Sequence, residues 1–481
     1  MRAALALALT PLALACGSEQ DFQRIRLAKR QAASSTASSH ASSHAASAAT
    51  RASAATSAAA ATVAAATRTD EASAAQVTDP AQECTAYSYA PVAALIADGA
   101  FPAIWEIANL STAKSDVTAL YDSLSSSIPD IAPKGTSDGN FTGVNYDGNT
   151  DADCWWTWKQ CTTPKLEGLS PDISSCPEPN TWGFTLDDGP NCSHNAYYDY
   201  LEEQKQKATL FYVGSNVVDW PLEAQRGLAD GHEICSHTWS HRYMTALTNE
   251  EVFAELYYSK KAIKDVLGVT VQCWRPPYGD VDDRVRYIAN ALGMTTILWE
   301  SNTFDYLVST LGLATVQQNY DDILAAAANG TYKDKGTVVL THELNNDTMS
   351  IGQSYLPKIQ AAFDYVVPVG VCLNNTNPYS EDGYTYPNFE QWAAGTTSIS
   401  LLAPTAVSTD ATLSIPLSTG ASGSITATNG YASAAASTGA GSSASGSSAA
   451  GRTAGGFEGV FGVVAAVVVG AVGAGVGAVL I

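Results

Sequence analysis

Seven short apolar runs in the middle of the chain, each flanked by an amphipathic stretch, limit the available folds most strongly. The runs are residues 182–186, 208–213, 232–236, 271–274, 295–299, 337–340 and 366–371. Short apolar runs bounded by turn residues are typical of buried strands. One intervening helix is delimited at both ends, because Thr248 and Glu251 form a capping box and Gly268 ends the helix after Leu267. The alternation predicts an α/β barrel or sheet with parallel strands, whose functional groups follow the carboxyl ends of the strands.

Two adjacent carboxylates, Asp187 and Asp188, follow the first run and precede Gly189-Pro190. Neighbouring side chains leave a strand in opposite directions, so both reach one centre only where the chain bends, and Gly-Pro is typical of a bend. His237 and His241 follow the third run. Asp188 and these histidines form a set that suits a divalent metal, zinc first, with an open position for water. The alternatives are an ordinary turn and a solvated or capping histidine pair.

Three further polar residues lie where later runs end. Arg275 precedes two prolines, and on this stiff backbone its guanidinium can clamp a carboxylate with two hydrogen bonds. A structural ion pair is the alternative interpretation of Arg275. Asp305 follows the fifth run and His342 follows the sixth. The spacing therefore predicts that both contribute to the same edge as the carboxylates and the two histidines.

These blocks resemble the five motifs of the NodB-type polysaccharide deacetylases, a carbohydrate esterase family that includes fungal chitin deacetylases. The resemblance extends over residues 182–372, in the family's order and spacing. It implies a distorted (β/α)7 barrel that holds one divalent metal, zinc or cobalt. The sequence departs from the family pattern at Leu186, Asn302 and Tyr306, where the family usually has Phe, Asp and Trp.

The resemblance also implies a role for each matching residue. Asp187 would be the catalytic base and Arg275 its clamp, with His342 as the general acid tuned by Asp305. The other implied roles are the metal ligands Asp188, His237 and His241, the oxyanion donor at the backbone N–H of Tyr278, the sugar-groove walls Trp239 and Tyr306, and the acetyl pocket at Leu340.

The activity that this resemblance implies is hydrolysis of the N-acetyl group of GlcNAc residues in chitin, which gives chitosan and acetate. Peptidoglycan and acetylated xylan are alternative substrates of the same chemistry. A wall-anchored carbohydrate-binding glycoprotein without turnover is an alternative from another class. The net charge of −22, from 25 basic and 47 acidic residues, argues against a nucleic-acid partner because little could neutralise phosphates. We expect a monomer.

Both ends of the chain differ in composition from the middle. Met1-Arg2 and the apolar stretch to Ala15 predict a secretory signal peptide. Residues 31–67 and 394–459 are rich in Ser, Thr and Ala, which predicts disordered stalks of the kind that carries O-glycans. A bacterial lipoprotein signal at Cys16 is the competing interpretation of the first segment. Cleavage after Gly17 would leave eight cysteines, whereas cleavage after Ala15 would leave nine. The even number suits disulfide bonds formed in the oxidising compartment of a secreted protein.

The last 22 residues, 460–481, carry no charge and exceed the length that a membrane span needs. No charged residue follows them, and small residues around Ser445 precede a spacer of about 12 residues, as a glycosylphosphatidylinositol signal requires. We predict a lipid anchor near Ser445, with a true C-terminal span as the alternative. The mature protein is then expected at the cell wall and the outer face of the plasma membrane.

These observations divide the chain into six segments. They are a signal peptide (1–17), a low-complexity propeptide or stalk (18–80), an N-terminal extension packing on the barrel (81–181), the catalytic domain (182–375), a C-terminal extension and stalk (376–447) and an anchor signal removed from the mature chain (448–481). Glycosylation sequons predict surface loops at Asn109, Asn140, Asn191, Asn329, Asn346 and Asn374.

Two other features remain open at this level. Cys235 and Cys273 each lie two residues before a site candidate, so they can face each other, with or without a bond. A cluster of three tryptophans, Trp155, Trp156 and Trp158, is expected to pack over the N-terminal end of the barrel rather than to stack on sugars. We expect structural roles for His194 and His232.

Overall fold

The computed structural model describes residues 68–397, 399–400 and 431, and these contain eight strands in one parallel sheet. The strands are β1 (Thr181–Gly189), β2 (Thr209–Tyr212), β3 (Glu233–Ser236), β4 (Cys273–Trp274), β5 (Thr295–Thr296), β6 (Ser301–Asn302), β7 (Thr337–Leu340) and β8 (Tyr365–Val367). All residues of β1, β2, β3 and β7 are buried, as expected for strands covered on both faces.

The order of the strands shows that the sheet closes on itself. Seven strands follow the order β5-β4-β3-β2-β1-β7-β6, and β8 pairs with β1 outside this path. The first and last members of the path, β5 and β6, are joined directly by residues 297–300. Because four residues bridge only a short distance, the sheet must curl round until its two edges face each other. The expected distorted (β/α)7 barrel is thereby confirmed.

Fifteen α-helices lie among the described residues and connect or cover the strands. They are α1 (Glu71–Ala74), α2 (Pro80–Glu83), α3 (Ala90–Ala97), α4 (Ser115–Ser125), α5 (Trp156–Lys159), α6 (Asn195–Glu203), α7 (Gly214–Asp219), α8 (Pro221–Ala229), α9 (Asn249–Leu267), α10 (Asp283–Ala291), α11 (Val308–Leu311), α12 (Leu313–Ala328), α13 (Asn346–Ala362), α14 (Val369–Cys372) and α15 (Phe389–Ala393). Helix α9 has the predicted ends, since Thr248 and Glu251 form the capping box and Gly268 ends the helix at φ +83°.

Three of the seven predicted strands are markedly shorter than expected, and one of them, the run 271–274, forms a strand only at Cys273 and Trp274. The run 366–371 pairs only up to Val367, because Pro368 has no N–H to donate and the chain then turns into α14. The run 295–299 pairs with β4 only at β5, and beyond it the N–H of Leu298 donates to the carbonyl of Ile173 at 2.7 Å. Strand β6 was not predicted, because two polar residues give no apolar signal.

Four disulfides use the eight cysteines outside the first segment: Cys84–Cys192, Cys154–Cys161, Cys176–Cys372 and Cys235–Cys273. The last bond answers the open question about Cys235 and Cys273, and it joins β3 to β4. Cys176–Cys372 spans 196 residues of sequence. A crosslink over such a long loop restricts the unfolded chain more than a short one does.

The tryptophan cluster packs on the opposite end of the barrel from the one expected. The indole of Trp155 donates to Asp280 at 2.9 Å, and the N–H of Trp156 donates to the carbonyl of Val281 at 3.0 Å. Both acceptors lie after β4, at the carboxyl ends of the strands. The expectation of packing at the N-terminal end was wrong, because sequence order does not show which end of a barrel an extension reaches.

Several predictions fall wholly or partly outside the described residues. Residues 1–17, Ser445 and 448–481 lie there, as do the stalk at 31–67 and most of the stalk at 394–459. Within the described part, no helix is both long and apolar enough to cross a membrane. Asn191 is half-buried, and its side-chain amide donates to the carbonyl of Leu344 at 2.6 Å. The other five sequon asparagines are exposed.

Candidate active site

A cleft of about 340 Å³ lies at the carboxyl ends of the strands. Its lining combines ionisable and apolar side chains: Asp187, Asp188, His237, His241, Tyr278, Trp299, Tyr306, Leu340 and His342. Eight of these nine were predicted from the sequence to belong to one site. The ninth, Trp299, ends the fifth apolar run, and an aromatic residue at the end of a strand was the signal for it.

The two carboxylates share the cleft because β1 is irregular between them. Asp187 pairs with Phe211 and Gly189 pairs with Tyr212, so Asp188 is an extra residue with φ +70°. This bulge turns the Asp188 side chain toward the side that Asp187 already faces. The sequence predicted a bend at Gly189-Pro190, and the structure places the decisive irregularity one residue earlier. Gly189 packs so closely that a Cβ there would lie 1.5 Å from Glu343 Oε1.

Asp188 and two imidazoles form the candidate metal centre. Asp188 Oδ1 lies 3.1 Å from His241 Nε2 and 3.5 Å from His237 Nε2. One ligand atom from each of the three residues lies within 4.8 Å of the others. His237 Nδ1 lies 2.8 Å from the carbonyl of Arg275. Because a carbonyl only accepts, Nδ1 carries the proton in the neutral ring and Nε2 keeps its lone pair for a cation, so the donor set fits a divalent metal.

The charge of Asp188 is favoured by its surroundings. Burial alone would raise the pKa of this carboxyl, but the imidazoles of His241 and His237 outweigh burial and hold the pKa well below its usual value. An ionised carboxylate is the form that a metal requires of this ligand.

Arg275 contacts the other carboxylate. Its Nη1 lies 2.7 Å from Asp187 Oδ1 and 2.9 Å from Thr185 Oγ1. Its Nε and Nη2 donate to the carbonyls of Ile297 and Leu298, both at 3.2 Å. The guanidinium is fully buried, so its charge acts on Asp187 with little screening. The two neighbouring aspartates therefore differ in their nearest partner: Asp187 lies 2.7 Å from Arg275 and 3.8 Å from His237, whereas Asp188 lies nearest the two histidines.

His342 lies beside Asp187, with which it forms a β-bridge, and its imidazole is held by a third carboxylate. Its Nδ1 lies 2.6 Å from Asp305 Oδ1, and its backbone N–H donates to Asp305 Oδ2 at 2.9 Å. Burial lowers the pKa of His342, but the charge of Asp305 and this hydrogen bond outweigh burial and raise it to about 9. The imidazole is therefore protonated at neutral pH, as a proton donor requires.

Aromatic and apolar side chains form the remaining walls. Tyr278 has φ +59°, and its ring stacks on Tyr243 with 4.0 Å between centroids. The ring of Tyr306 lies 4.9 Å from that of His342. Trp299 packs edge-on against Trp156 at 4.8 Å, so the N-terminal extension supports this wall.

Trp239 corrects an expectation. It is fully buried and lies outside the lining of the cleft, with its indole donating to the carbonyl of Ala103 at 3.1 Å. Its side chain fixes the loop between the two metal-site histidines to the N-terminal extension. The family resemblance implied a groove wall at Trp239, but the side chain is packed in the core and does not line the cleft.

Comparison with known proteins identifies relatives over most of the chain. A family model for polysaccharide deacetylase matches residues 174–297. Chitin deacetylase 2 of Cryptococcus neoformans var. grubii serotype A is 56% identical over 339 residues, which cover 69% of this chain and 74% of that protein. The chitin deacetylase of Amylomyces rouxii is 50% identical over 317 residues, which cover 64% and 74%. The solved chitin deacetylase of Colletotrichum lindemuthianum is 23% identical with a TM-score of 0.40, covering 44% of this chain and 96% of that chain.

Proposed function

Because this chain belongs to the polysaccharide deacetylase family, we propose that it hydrolyses the N-acetyl groups of GlcNAc residues in chitin, giving chitosan and acetate. One observation carries the proposal: in one cleft, Asp187 is held by Arg275, Asp188 lies nearest the two histidines, and His342 is protonated. The relatives named chitin deacetylase, at 56% and 50% identity, support chitin as the substrate.

The chemistry assigns one task to each side chain. Asp188, His237 and His241 would hold a divalent metal, zinc or cobalt, which when bound supplies a Lewis acid that lowers the pKa of water and polarises an acyl oxygen. Asp187 accepts the proton of the attacking water, and Arg275 holds the Asp187 carboxylate in place through the contact at 2.7 Å.

His342 and the remaining lining residues complete the reaction. His342 donates its proton to the departing amine, since it is protonated at neutral pH and borders the same cleft. The backbone N–H of Tyr278 is assigned to the oxyanion of the tetrahedral intermediate. Leu340 and Trp299 offer apolar surface to the acetyl methyl, and Tyr306 to the face of a sugar ring.

The proposal extends to where the protein works. The signal peptide and the charge-free tail support secretion and a lipid anchor, with the catalytic domain at the cell wall and the outer face of the plasma membrane. A non-catalytic glycoprotein is disfavoured, because binding alone does not require a base, an acid and three ligands in one cleft.

The test is acetate release by the purified protein from chitin oligomers, peptidoglycan and acetylxylan, each with and without a chelator. We expect release from chitin oligomers that the chelator abolishes. Faster acetate release from peptidoglycan or acetylxylan than from chitin oligomers would show that this other polymer, and not chitin, is the preferred substrate. Release from none of the three would contradict the proposed activity.

A further inference from the structure

The loop that carries both metal-site histidines has a strained backbone. Thr238 has φ +64° and His241 has φ +56°, a region that residues with a Cβ rarely occupy. Such residues are strained and persist only where surrounding contacts hold them in place. The contacts that hold this loop therefore decide where the two imidazoles lie.

One buried carboxylate supplies the strongest of these contacts. Glu255, on α9, is fully buried, and its Oε2 accepts the backbone N–H of Ser240 at 2.7 Å. Its Oε1 accepts the Ser240 hydroxyl at 2.6 Å and the backbone N–H of Ala108 at 2.8 Å. Three hydrogen bonds to a carboxylate are stronger than those to neutral acceptors. Ser240 directly precedes the ligand His241, so the carboxylate acts one residue away from the metal centre.

The same carboxylate joins this loop to the N-terminal extension. Two further hydrogen bonds reach the extension. The indole N–H of Trp239 donates to the carbonyl of Ala103, and Arg242 Nη2 donates to the carbonyl of Trp105 at 2.8 Å. Residues 103–108 therefore contact the loop at Trp239 and just after it at Arg242, while Glu255 links them to Ser240. These residues precede the part of the chain that the family model matches.

We propose that Glu255 is a positioning residue for the metal centre, and that through it residues 103–108 of the N-terminal extension help to set the affinity for the metal. The inference rests on the proposed function, since it takes His237 and His241 as ligands. Glu255 does not touch the cleft; it acts through the backbone of Ser240. Partners of this kind change metal affinity by orienting the ligands.

The substitution Glu255→Gln tests the proposal sharply. Each carboxylate oxygen accepts one backbone N–H, from Ser240 and from Ala108. An amide has one acceptor oxygen and one NH₂ group, so in either orientation the NH₂ group opposes a backbone donor. We expect Zn²⁺ affinity, measured on metal-free protein by competition with a chromogenic chelator, to fall by about 10–100-fold.

Glu250→Gln is the matched control. Glu250 lies on the same helix and also accepts a backbone N–H from the extension, that of Leu110 at 3.2 Å. In the part of the chain that the structure describes, it has no hydrogen bond to the loop that carries His237 and His241. Its substitution should leave Zn²⁺ affinity at the parent value. Parental Zn²⁺ affinity in Glu255→Gln, or an equal loss in both variants, would overturn the proposal.

A second measurement separates positioning from simple stabilisation. Zn²⁺ should raise the melting temperature of Glu255→Gln less than that of the parent, because stabilisation by a ligand follows its affinity. A lower melting temperature with an unchanged Zn²⁺ increment would indicate a structural role only and refute the proposal.

If Glu255→Gln does not fold, Ser240→Ala replaces it, because this variant loses only the hydroxyl bond to Glu255. Its Zn²⁺ affinity should fall, but by less than the loss expected for Glu255→Gln, and parental affinity would overturn the proposal. A parent protein that binds Zn²⁺ but releases no acetate would contradict the proposed function and leave this inference intact.

Discussion

Replacing Asp305 by Asn should change the pH at which His342 releases its proton. The hydrogen-bonded pair raises the pKa of His342 from 6.5 to about 9 against the effect of burial. At 1.36 kcal/mol per pKa unit, this favours the imidazolium by about 3 kcal/mol. Without the Asp305 charge, burial is opposed only by the weaker effects of Asp188 and Asp187, so the pKa of His342 should fall toward 6.5. At pH 8 the protonated fraction then drops from about nine-tenths to a few per cent, which predicts a loss of kcat/KM of about 30-fold.

The loss should depend on pH in a defined direction. Activity needs the protonated imidazole, so Asp305→Asn should lose least near pH 6 and progressively more as the pH rises toward 9. The stability of the folded protein depends on pH in the same direction. The raised pKa of His342 adds to the free energy of unfolding fully below about pH 6.5, and this contribution is lost as the pH rises through about 9.

NMR titration of the His342 ring in metal-free protein gives the pKa directly, and pH profiles of acetate release give its consequence. The metal-free form is needed because a nearby cation lowers the pKa of His342 in both the parent and the Asp305→Asn variant. Asp347→Asn, an exposed residue at the start of α13, serves as control and should behave like the parent. If His342 in Asp305→Asn still titrates near 9, or if the activity profiles superimpose, the assigned role of Asp305 is refuted.

Three further predictions address the metal, the two aspartates and the anchor. Chelation should abolish activity and Zn²⁺ or Co²⁺ should restore it, whereas full activity of protein shown to be metal-free by elemental analysis would exclude the metal centre. Asp187→Asn should retain stoichiometric metal but lose several orders of magnitude in turnover, while Asp188→Asn should lose the metal itself; the reverse pattern in metal content would exchange their roles. Phosphatidylinositol-specific lipase should release the protein from membranes, and a mature C-terminal peptide that reaches Ile481 would exclude the lipid anchor.

The sequence predicted the repeating parts of this protein better than its irregular parts. Apolar runs and caps located β1, β2, β3, β7 and α9, because burial and capping are local properties. The short β6 escaped prediction, because two residues held by a neighbouring strand need no apolar pattern of their own.

The site residues show the same difference between local sequence signals and long-range contacts. Side chains such as Asp188 and His241 were found because chemistry restricts which residues can serve there, and both lie in the cleft. Trp239 was misplaced because its indole donates to Ala103, 136 positions earlier, and Glu255 was missed because it links Ser240, 15 positions earlier, to Ala108, 147 positions earlier. Sequence spacing contains no information on such contacts without a template.

The position of Arg275 has a consequence for how the barrel can vary. The carbonyls that it binds, those of Ile297 and Leu298, belong to the segment that joins the two edges of the sheet. There the guanidinium takes the place of ladder hydrogen bonds that a further strand would make. Widening the cleft by parting these edges would pull Arg275 away from Asp187, so the width of the pocket and the position of the base are not independently adjustable. Changes in substrate range are therefore expected to arise in the loops that flank the cleft, with the joint between β5 and β6 left intact.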